Sequence, residues 1–114
     1  MNNPFTGTVN VKDNVVFHPL TFTRPEMIRI LLVAKITSAP AYNPTITSGV
    51  EGRHSSDPWS KHYTGWALDF RINDLAKSDV TRWVEQLKVK LGAGYFVLLE
   101  SNHIHIHYIK GLSL

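Results

Sequence analysis

Cysteine is absent from this chain of 114 residues. Its absence excludes a disulfide scaffold, a zinc finger with thiolate ligands, an iron–sulfur cluster and a thiol nucleophile. Any metal site in the chain must therefore use histidine and carboxylate ligands. Internal repeats and low-complexity linkers are also missing. We therefore expect one domain over residues 1–114, a common domain size that can bury a core without disulfides.

Long hydrophobic runs are missing as well. The longest apolar stretch, residues 28–36, is interrupted by Arg29 and Lys35 and is too short to span a bilayer. Residues 1–5 lack the basic start and apolar run of a secretory signal peptide. We expect cytoplasmic synthesis and no membrane partner. A phage-encoded protein released to the cell wall through a partner pore, a protein carried in a particle and a cytoplasmic dipeptidase all fit this expectation.

Neither positive nor negative charge is in large excess. The chain has 12 Lys and Arg against 9 Asp and Glu, and its net charge of +3 comes without a basic run. Nucleic-acid binding is therefore not expected. A modest basic excess does suit an anionic polymer such as the bacterial cell wall.

Hydrophobic alternation predicts several strands. Residues 8–17 alternate about Asp13-Asn14, which predicts a small hairpin. Residues 67–72 predict a half-buried strand, because alternate side chains of a strand share a face. Its two faces comprise Leu68, Phe70 and Ile72 towards the core, and Ala67, Asp69 and Arg71 on the other side. Further strands are expected over residues 45–50, 95–100 and 104–109, the last two as an antiparallel pair.

Helical spacing predicts two helices and leaves a long ordered loop over residues 51–65. The first helix has Thr23 as its N-cap and Pro25 in its first turn, and runs to about Ser38. The second begins at Ser78 or Asp79, and Gly92 and Gly94 end it. Its apolar stripe consists of Val80, Trp83, Val84, Leu87 and Leu91. The expected fold is α+β, an antiparallel sheet with about two packed helices.

Four of the six histidines are concentrated in two segments, residues 60–69 and 100–107. On a strand, His103, His105 and His107 share one face, while the isoleucines between them point into the core. Solvated histidines without a function are the simplest reading of such a row. However, a second segment with histidine and aspartate lies upstream, and this favours a metal site.

Zinc is the metal that these residue types favour. Imidazole nitrogen and carboxylate oxygen are ordinary Zn²⁺ ligands, and catalytic zinc sites use three protein ligands and a water. His62 and Asp69 lie seven residues apart, and a turn at Gly65 allows them to converge. His103 is the natural third ligand. Glu100 can then act as general base beside the metal-bound water.

A competing ligand set keeps two histidines of the late segment. In that arrangement His103 and His105 both bind the metal, as in other His-x-His sites. Asp69 then contacts the ligands and does not bind the metal itself. The sequence alone leaves both sets open.

Two motifs carry a resemblance to a known family. The chain has Ser-x-His-x-x-Gly-x-Ala-x-Asp at residues 60–69 and Glu-x-x-His at residues 100–103. This pair resembles the zinc D-Ala-D-Ala carboxypeptidases and the L-Ala-D-Glu endopeptidases of phage endolysins. His-Tyr-x-Gly-x-Ala-x-Asp with a late His-Ile-His is also similar to the hedgehog signalling domain. The resemblance covers about residues 47–108 and implies a hedgehog/DD-peptidase-like fold.

The resemblance also implies roles for individual residues. His62, Asp69 and His103 match the zinc ligands, and Glu100 matches the catalytic acid/base. The substrate-side matches are Arg53, which would polarise the scissile carbonyl, Ser60, which would contact the substrate amine, and His105, a second histidine near the metal. The segment around Arg53 departs from the family's Ser-Gly-Tyr-Arg-Ser, since this chain has Ser-Gly-Val-Glu-Gly-Arg-His-Ser. Arg71 is therefore the alternative active-site arginine.

The function implied is zinc-dependent hydrolysis of peptidoglycan stem peptides. The resemblance leaves open a D-Ala-D-Ala carboxypeptidase or an L-Ala-D-Glu endopeptidase, and the sequence leaves the oligomeric state open. The alternative is a non-catalytic, zinc-stabilised binding module or phage structural module of the same fold. Glu100 favours the enzyme, because a module without catalysis can dispense with that carboxylate.

Overall fold

The computed structural model describes residues 9–51 and 60–111. The elements in chain order are β1 (Asn10–Val11), a 3-10 turn (Thr21–Thr23), α1 (Pro25–Thr37), β2 (Thr45–Ser48), β3 (Ala67–Arg71), α2 (Lys77–Leu91), β4 (Tyr95–Leu99) and β5 (His103–Tyr108). The five strands form one sheet in the order β1-β2-β3-β5-β4. The structure thus confirms the expected α+β class with two helices.

The sheet is mixed rather than antiparallel. β1 pairs parallel with β2, and the other neighbouring strands pair antiparallel. A parallel pair needs a crossover connection, and α1 supplies it between β1 and β2. The expectation of a purely antiparallel sheet was therefore wrong at this edge.

The hairpin predicted over residues 8–17 does not form within the described part of that segment. Asn14 adopts a positive φ of 68°, so the chain does turn where expected. Residues 15–17 form no strand after this turn. The carbonyl of Val16 accepts a hydrogen bond from the Val50 N–H at 2.7 Å, while the Asn10 N–H donates to the Pro44 carbonyl at 2.8 Å. Long-range partners thus replace the local pairing that alternation suggested.

Both helices begin near, but not at, the predicted caps. Arg24 rather than Thr23 precedes α1, and the Thr23 hydroxyl donates to the Leu20 carbonyl at 2.7 Å instead of capping the helix. Ala76 precedes α2, so the predicted caps at positions 78 and 79 lie inside that helix. Gly92 ends α2 as predicted, with a φ of 80° that glycine adopts without steric cost. Within the described ranges, neither helix is long and apolar enough to cross a membrane.

The core lies between the helices and one face of the sheet. Leu68 and Phe70 of β3 and Ile104 and Ile106 of β5 are fully buried there. The predicted stripe of α2 packs against them and is buried in full: Val80, Trp83, Val84, Leu87 and Leu91. Since the helices cover this face, the opposite face of β3 and β5 is left for other side chains.

Candidate metal centre

The register of β3 against β5 brings polar residues together on the face without helices. Asp69 lies directly opposite His105, and Arg71 lies opposite His103. Directly opposed residues of an antiparallel pair project to the same face of the sheet. The aspartate, the arginine and the two histidines therefore share one surface, as the alternation predicted.

His62 reaches this surface from the turn that precedes β3. The Gly65 N–H donates to the His62 carbonyl at 3.1 Å, and the Trp66 N–H donates to the Lys61 carbonyl at 2.9 Å. Gly65 has a φ of 79°, and a Cβ there would lie 2.5 Å from the Cβ of His18. Glycine is thus required twice over, by conformation and by space. The turn predicted at this position is confirmed.

Contacts with the preceding helical segment anchor the same turn. The Thr21 hydroxyl donates to the Gly65 carbonyl at 3.1 Å, and Arg24 Nη1 donates to the Thr64 carbonyl at 2.9 Å. The Arg24 guanidinium also lies 4.0 Å from the ring centroid of Trp66. Trp66 packs against the core beneath the turn. These contacts hold the histidine close to the strand aspartate.

Three ligand atoms converge where this turn meets the sheet. His62 Nε2 lies 3.0 Å from Asp69 Oδ1 and 3.1 Å from His105 Nδ1, and the last two atoms are 3.1 Å apart. Ligand atoms about 2.0–2.1 Å from a tetrahedral zinc ion are themselves separated by about 3.3 Å. The triangle is therefore close to the size that such an ion needs, and these three residues can hold a metal ion.

Hydrogen bonds on the outer side of each imidazole orient its inner nitrogen. His62 Nδ1 lies 2.9 Å from the Gly49 carbonyl, which can only accept, so Nδ1 donates and Nε2 faces the triangle. His105 is arranged the other way round, with Nε2 at 2.8 Å from His107 Nδ1. In the tautomer in which His105 Nε2 donates to His107, the lone pair of His105 lies on Nδ1 and faces Asp69. Partners of this kind fix the ring orientation of metal-binding histidines.

The ionisation of the cluster suits a cation. Burial raises the pKa of Asp69, but its polar contacts with the His105 and His62 rings and the charges of His62 and His103 hold it well below its usual range. For His107, burial and then the charges of His105, Lys61 and His62 lower the pKa to about 4. At neutral pH the cluster thus offers a carboxylate, and His107 is neutral. An ionised carboxylate is the form that binds metals, and a neutral His107 can accept a hydrogen bond from His105.

His103 and Glu100 form a pair at the border of the triangle. His103 Nε2 lies 2.7 Å from Glu100 Oε2 and 3.6 Å from Asp69 Oδ2, and its Nδ1 lies 2.6 Å from Asn102 Oδ1. The two carboxylate oxygens of Asp69 thus face different histidines. The convergent third atom comes from His105, whereas the sequence predicted His103. The set of His62, Asp69 and His103 stays a prediction, as does the alternative with both strand histidines.

The other predicted site residues fall in different places. The Ser60 hydroxyl accepts a hydrogen bond from the His62 N–H at 3.2 Å, so it borders the cluster. Arg71 shares the surface of Asp69 and His103. Arg53 lies outside the described residues.

Two neighbours of the cluster were not anticipated from the sequence. The Gly49 carbonyl holds His62 across thirteen positions of chain, and Phe96 stacks on His107 with ring centroids 5.0 Å apart. A backbone carbonyl is present in every residue, so the sequence cannot show which one accepts from His62. The Phe96 contact needs the register of β4 against β5, which places that residue opposite His107.

The chain was compared with family models, curated proteins and solved structures, and none matches it. No family assignment follows from these comparisons. The resemblance to zinc peptidases rests on the two motifs and stays a prediction.

Proposed function

We propose that this protein is a zinc-dependent peptidase that hydrolyses peptidoglycan stem peptides, with His62, Asp69 and His105 as the metal ligands. The observation that carries the proposal is the convergence of two imidazole nitrogens and one carboxylate oxygen at 3.0–3.1 Å from one another. The Gly49 carbonyl turns the Nε2 lone pair of His62 inward, and His107 contacts the far nitrogen of His105. Three acceptor atoms at this spacing repel one another unless a proton or a cation lies among them.

Zinc suits this ligand set best. Two histidines and one carboxylate leave a fourth tetrahedral position for water, the arrangement of catalytic rather than structural zinc sites. The chain has no cysteine that could close the site. Other divalent transition metals accept the same ligands, so metal content after purification is a necessary part of the test.

We assign the proton transfers to Glu100, which contacts His103 at the border of the triangle. Zinc bound at the triangle would acidify a water and polarise the scissile carbonyl. Glu100 takes the proton from the attacking water and delivers it to the leaving amine as the C–N bond breaks. Its side chain is 44% exposed, so substrate can reach it, and His103 holds it at 2.7 Å.

An arginine completes the proposed chemistry. A fixed guanidinium stabilises the negative charge that develops on the carbonyl oxygen in the transition state. Arg53 is the residue that the motif resemblance favours for this role. Arg71 is the alternative, because it lies on the surface of the cluster directly opposite His103.

Three features favour a cell-wall peptide as the substrate. The motif pair resembles enzymes that cleave next to D-residues, and a net charge of +3 suits an anionic wall. Phe96 and Leu98, which are 42% and 40% exposed, lie opposite His107 and His105 on the neighbouring strand. They offer apolar contact beside the cluster for small side chains such as alanine.

The test is digestion of purified wall, with products identified by mass spectrometry. The wild type should release D-Ala, or stem-peptide fragments that begin with D-Glu, and it should lose this activity to a chelator and regain it with zinc. Glu100→Gln should keep its zinc and lose about 10²–10⁴-fold in rate, the contribution typical of a general base. Glu85→Gln, an exposed change on α2 behind the sheet, is the matched control and should retain full activity.

Two outcomes would contradict parts of the proposal. Zinc bound without turnover on any muropeptide would leave a zinc-stabilised module and remove the peptidase. Loss of zinc from Glu100→Gln would show that Glu100 is a ligand, and the assigned roles would be wrong.

A further inference from the structure

We propose that Glu51 is a positioning residue of the candidate metal centre, acting through the Gly49 carbonyl that orients His62. The inference rests on the metal site proposed above and extends it to the turn after β2. The hydrogen bonds that the described residues give to Glu51 come from Val16, Ser48 and Gly49 rather than from the three ligands. Its carboxylate holds the segment that supplies the outer partner of His62.

The Glu51 carboxylate accepts three hydrogen bonds. Its Oε1 accepts from the Gly49 N–H at 2.7 Å and from the Val16 N–H at 3.1 Å, and its Oε2 accepts from the Ser48 hydroxyl at 2.7 Å. Partial burial raises the pKa of Glu51, but these bonds outweigh it and the pKa is lowered. Glu51 therefore joins the end of β2 to the segment that follows β1.

The Gly49 backbone is closely packed between Glu51 and the Val16 segment. A Cβ at Gly49 would lie 2.3 Å from the Val16 carbonyl oxygen, so only glycine fits. That same carbonyl accepts from the Val50 N–H at 2.7 Å. The peptide units on either side of Gly49 are thus fixed, and the Gly49 carbonyl points to His62 Nδ1 at 2.9 Å.

The consequence concerns the tautomer of His62. A fixed carbonyl beside Nδ1 favours the form with hydrogen on Nδ1, which presents the Nε2 lone pair to Asp69 and His105. Without the carboxylate, the turn at Gly49 loses the acceptor for two backbone N–H groups. His62 then populates both tautomers, and one of them turns an N–H toward the metal position.

The experiment compares Glu51→Ala, Glu51→Gln and the control Glu85→Ala in two measurements. The first is Zn²⁺ affinity by competition with a chromophoric chelator. The second is the long-range ¹H–¹⁵N spectrum of the imidazoles in metal-free protein, which reports the tautomer of His62. Circular dichroism of each variant verifies its folding.

Glu51→Ala should weaken zinc binding about 10–100-fold, the usual loss when the outer partner of a metal ligand is removed. It should also convert His62 from the Nδ1–H tautomer to a mixture. Glu51→Gln should keep most of the wild-type affinity, because its amide oxygen can accept from both backbone N–H groups. Glu85→Ala should change neither measurement.

A folded Glu51→Ala with lower thermal stability but unchanged zinc affinity and tautomer would overturn the proposal, since Glu51 would then only stabilise the turn. If Glu51→Ala does not fold, Ser48→Ala removes one bond to the carboxylate and should give a smaller shift in the same direction. An unchanged His62 spectrum in that variant would equally contradict the proposal. A wild type that binds no zinc would remove the metal site, while the tautomer measurement would still decide the role of Glu51.

Discussion

The two faces of the β3–β5 pair carry different kinds of side chain, apolar on one and polar on the other. On the face beneath the helices, Leu68, Phe70 and Ile104 are fully buried among apolar side chains. On the other face, Asp69 and His105 are enclosed by further polar groups. The same backbone thus serves packing on one side and ligand geometry on the other, and a shift of one residue along a strand exchanges the two.

This difference separates the fold from the candidate site. The covered face gains from the removal of apolar area from water. The open face buries His62 and Asp69, which are 3% and 8% exposed, and burial of charge is costly unless it is compensated. We therefore expect substitutions on the covered face to lower the stability of the metal-free protein. Substitutions on the open face should act mainly on metal affinity.

The largest expected effect is on the covered face. Phe70→Ala should lower the free energy of unfolding by about 3–5 kcal/mol, because it leaves a cavity in a packed core. Phe96→Ala, the same change at a residue that is 42% exposed on the open face, should cost less than half as much. Urea denaturation in the presence of a chelator measures both. Equal losses would break the proposed contrast between the faces.

Asp69→Asn should have the next largest effect, on metal binding. It removes the only anionic ligand of the triangle, and zinc affinity should fall at least about 100-fold, or about 2.8 kcal/mol. The rise in melting temperature on zinc addition should fall with it. Asp79→Asn on α2, where the side chain is 47% exposed, is the control. Unchanged zinc affinity in Asp69→Asn would place the metal elsewhere.

His107→Phe should weaken zinc binding about 10–100-fold, because it removes the hydrogen-bond partner at 2.8 Å from His105 Nε2. His107→Gln offers an amide oxygen in place of the ring nitrogen and should lose less. Isothermal titration with Zn²⁺ compares the two variants. If they bind zinc equally well, His107 does not orient His105.

The smallest effect concerns pH. The pKa of His107 is lowered to about 4 from the usual 6.5, so the unfolded chain binds this proton more readily than the folded protein. The stabilisation is present above pH 6.5 and is lost as pH falls towards 4. Melting temperatures of metal-free protein from pH 7 to pH 4 should therefore fall less steeply in His107→Gln. Parallel curves would show that His107 titrates normally.

The sequence was sufficient to predict which residues share a face. Period-two alternation put Leu68 and Phe70 inward and Asp69 outward, and it put the three late histidines on one side; the core residues confirm this reading. The alternation of side chains gives no information about the register between strands. It could not show that His105, rather than His103, lies opposite Asp69, since that depends on pairing between segments more than thirty residues apart.

Predictions from local sequence patterns were wrong where contacts between distant segments of the chain determine the structure. The turn at Asn14 was predictable, but the parallel pairing of β1 with β2 depends on the crossover through α1. The contacts of Glu51 with Val16 and of Gly49 with His62 also join separate segments. Such contacts have no signature in residue spacing, so the support of the candidate site emerges only in three dimensions.

The most direct test of the central claim is the anomalous scattering of crystals grown with Zn²⁺, measured on both sides of the zinc absorption edge. We predict one strong peak bound by His62 Nε2, Asp69 Oδ1 and His105 Nδ1 at about 2.0–2.2 Å. A peak bound instead by His103 and Glu100, or no peak in zinc-saturated crystals, would contradict the account.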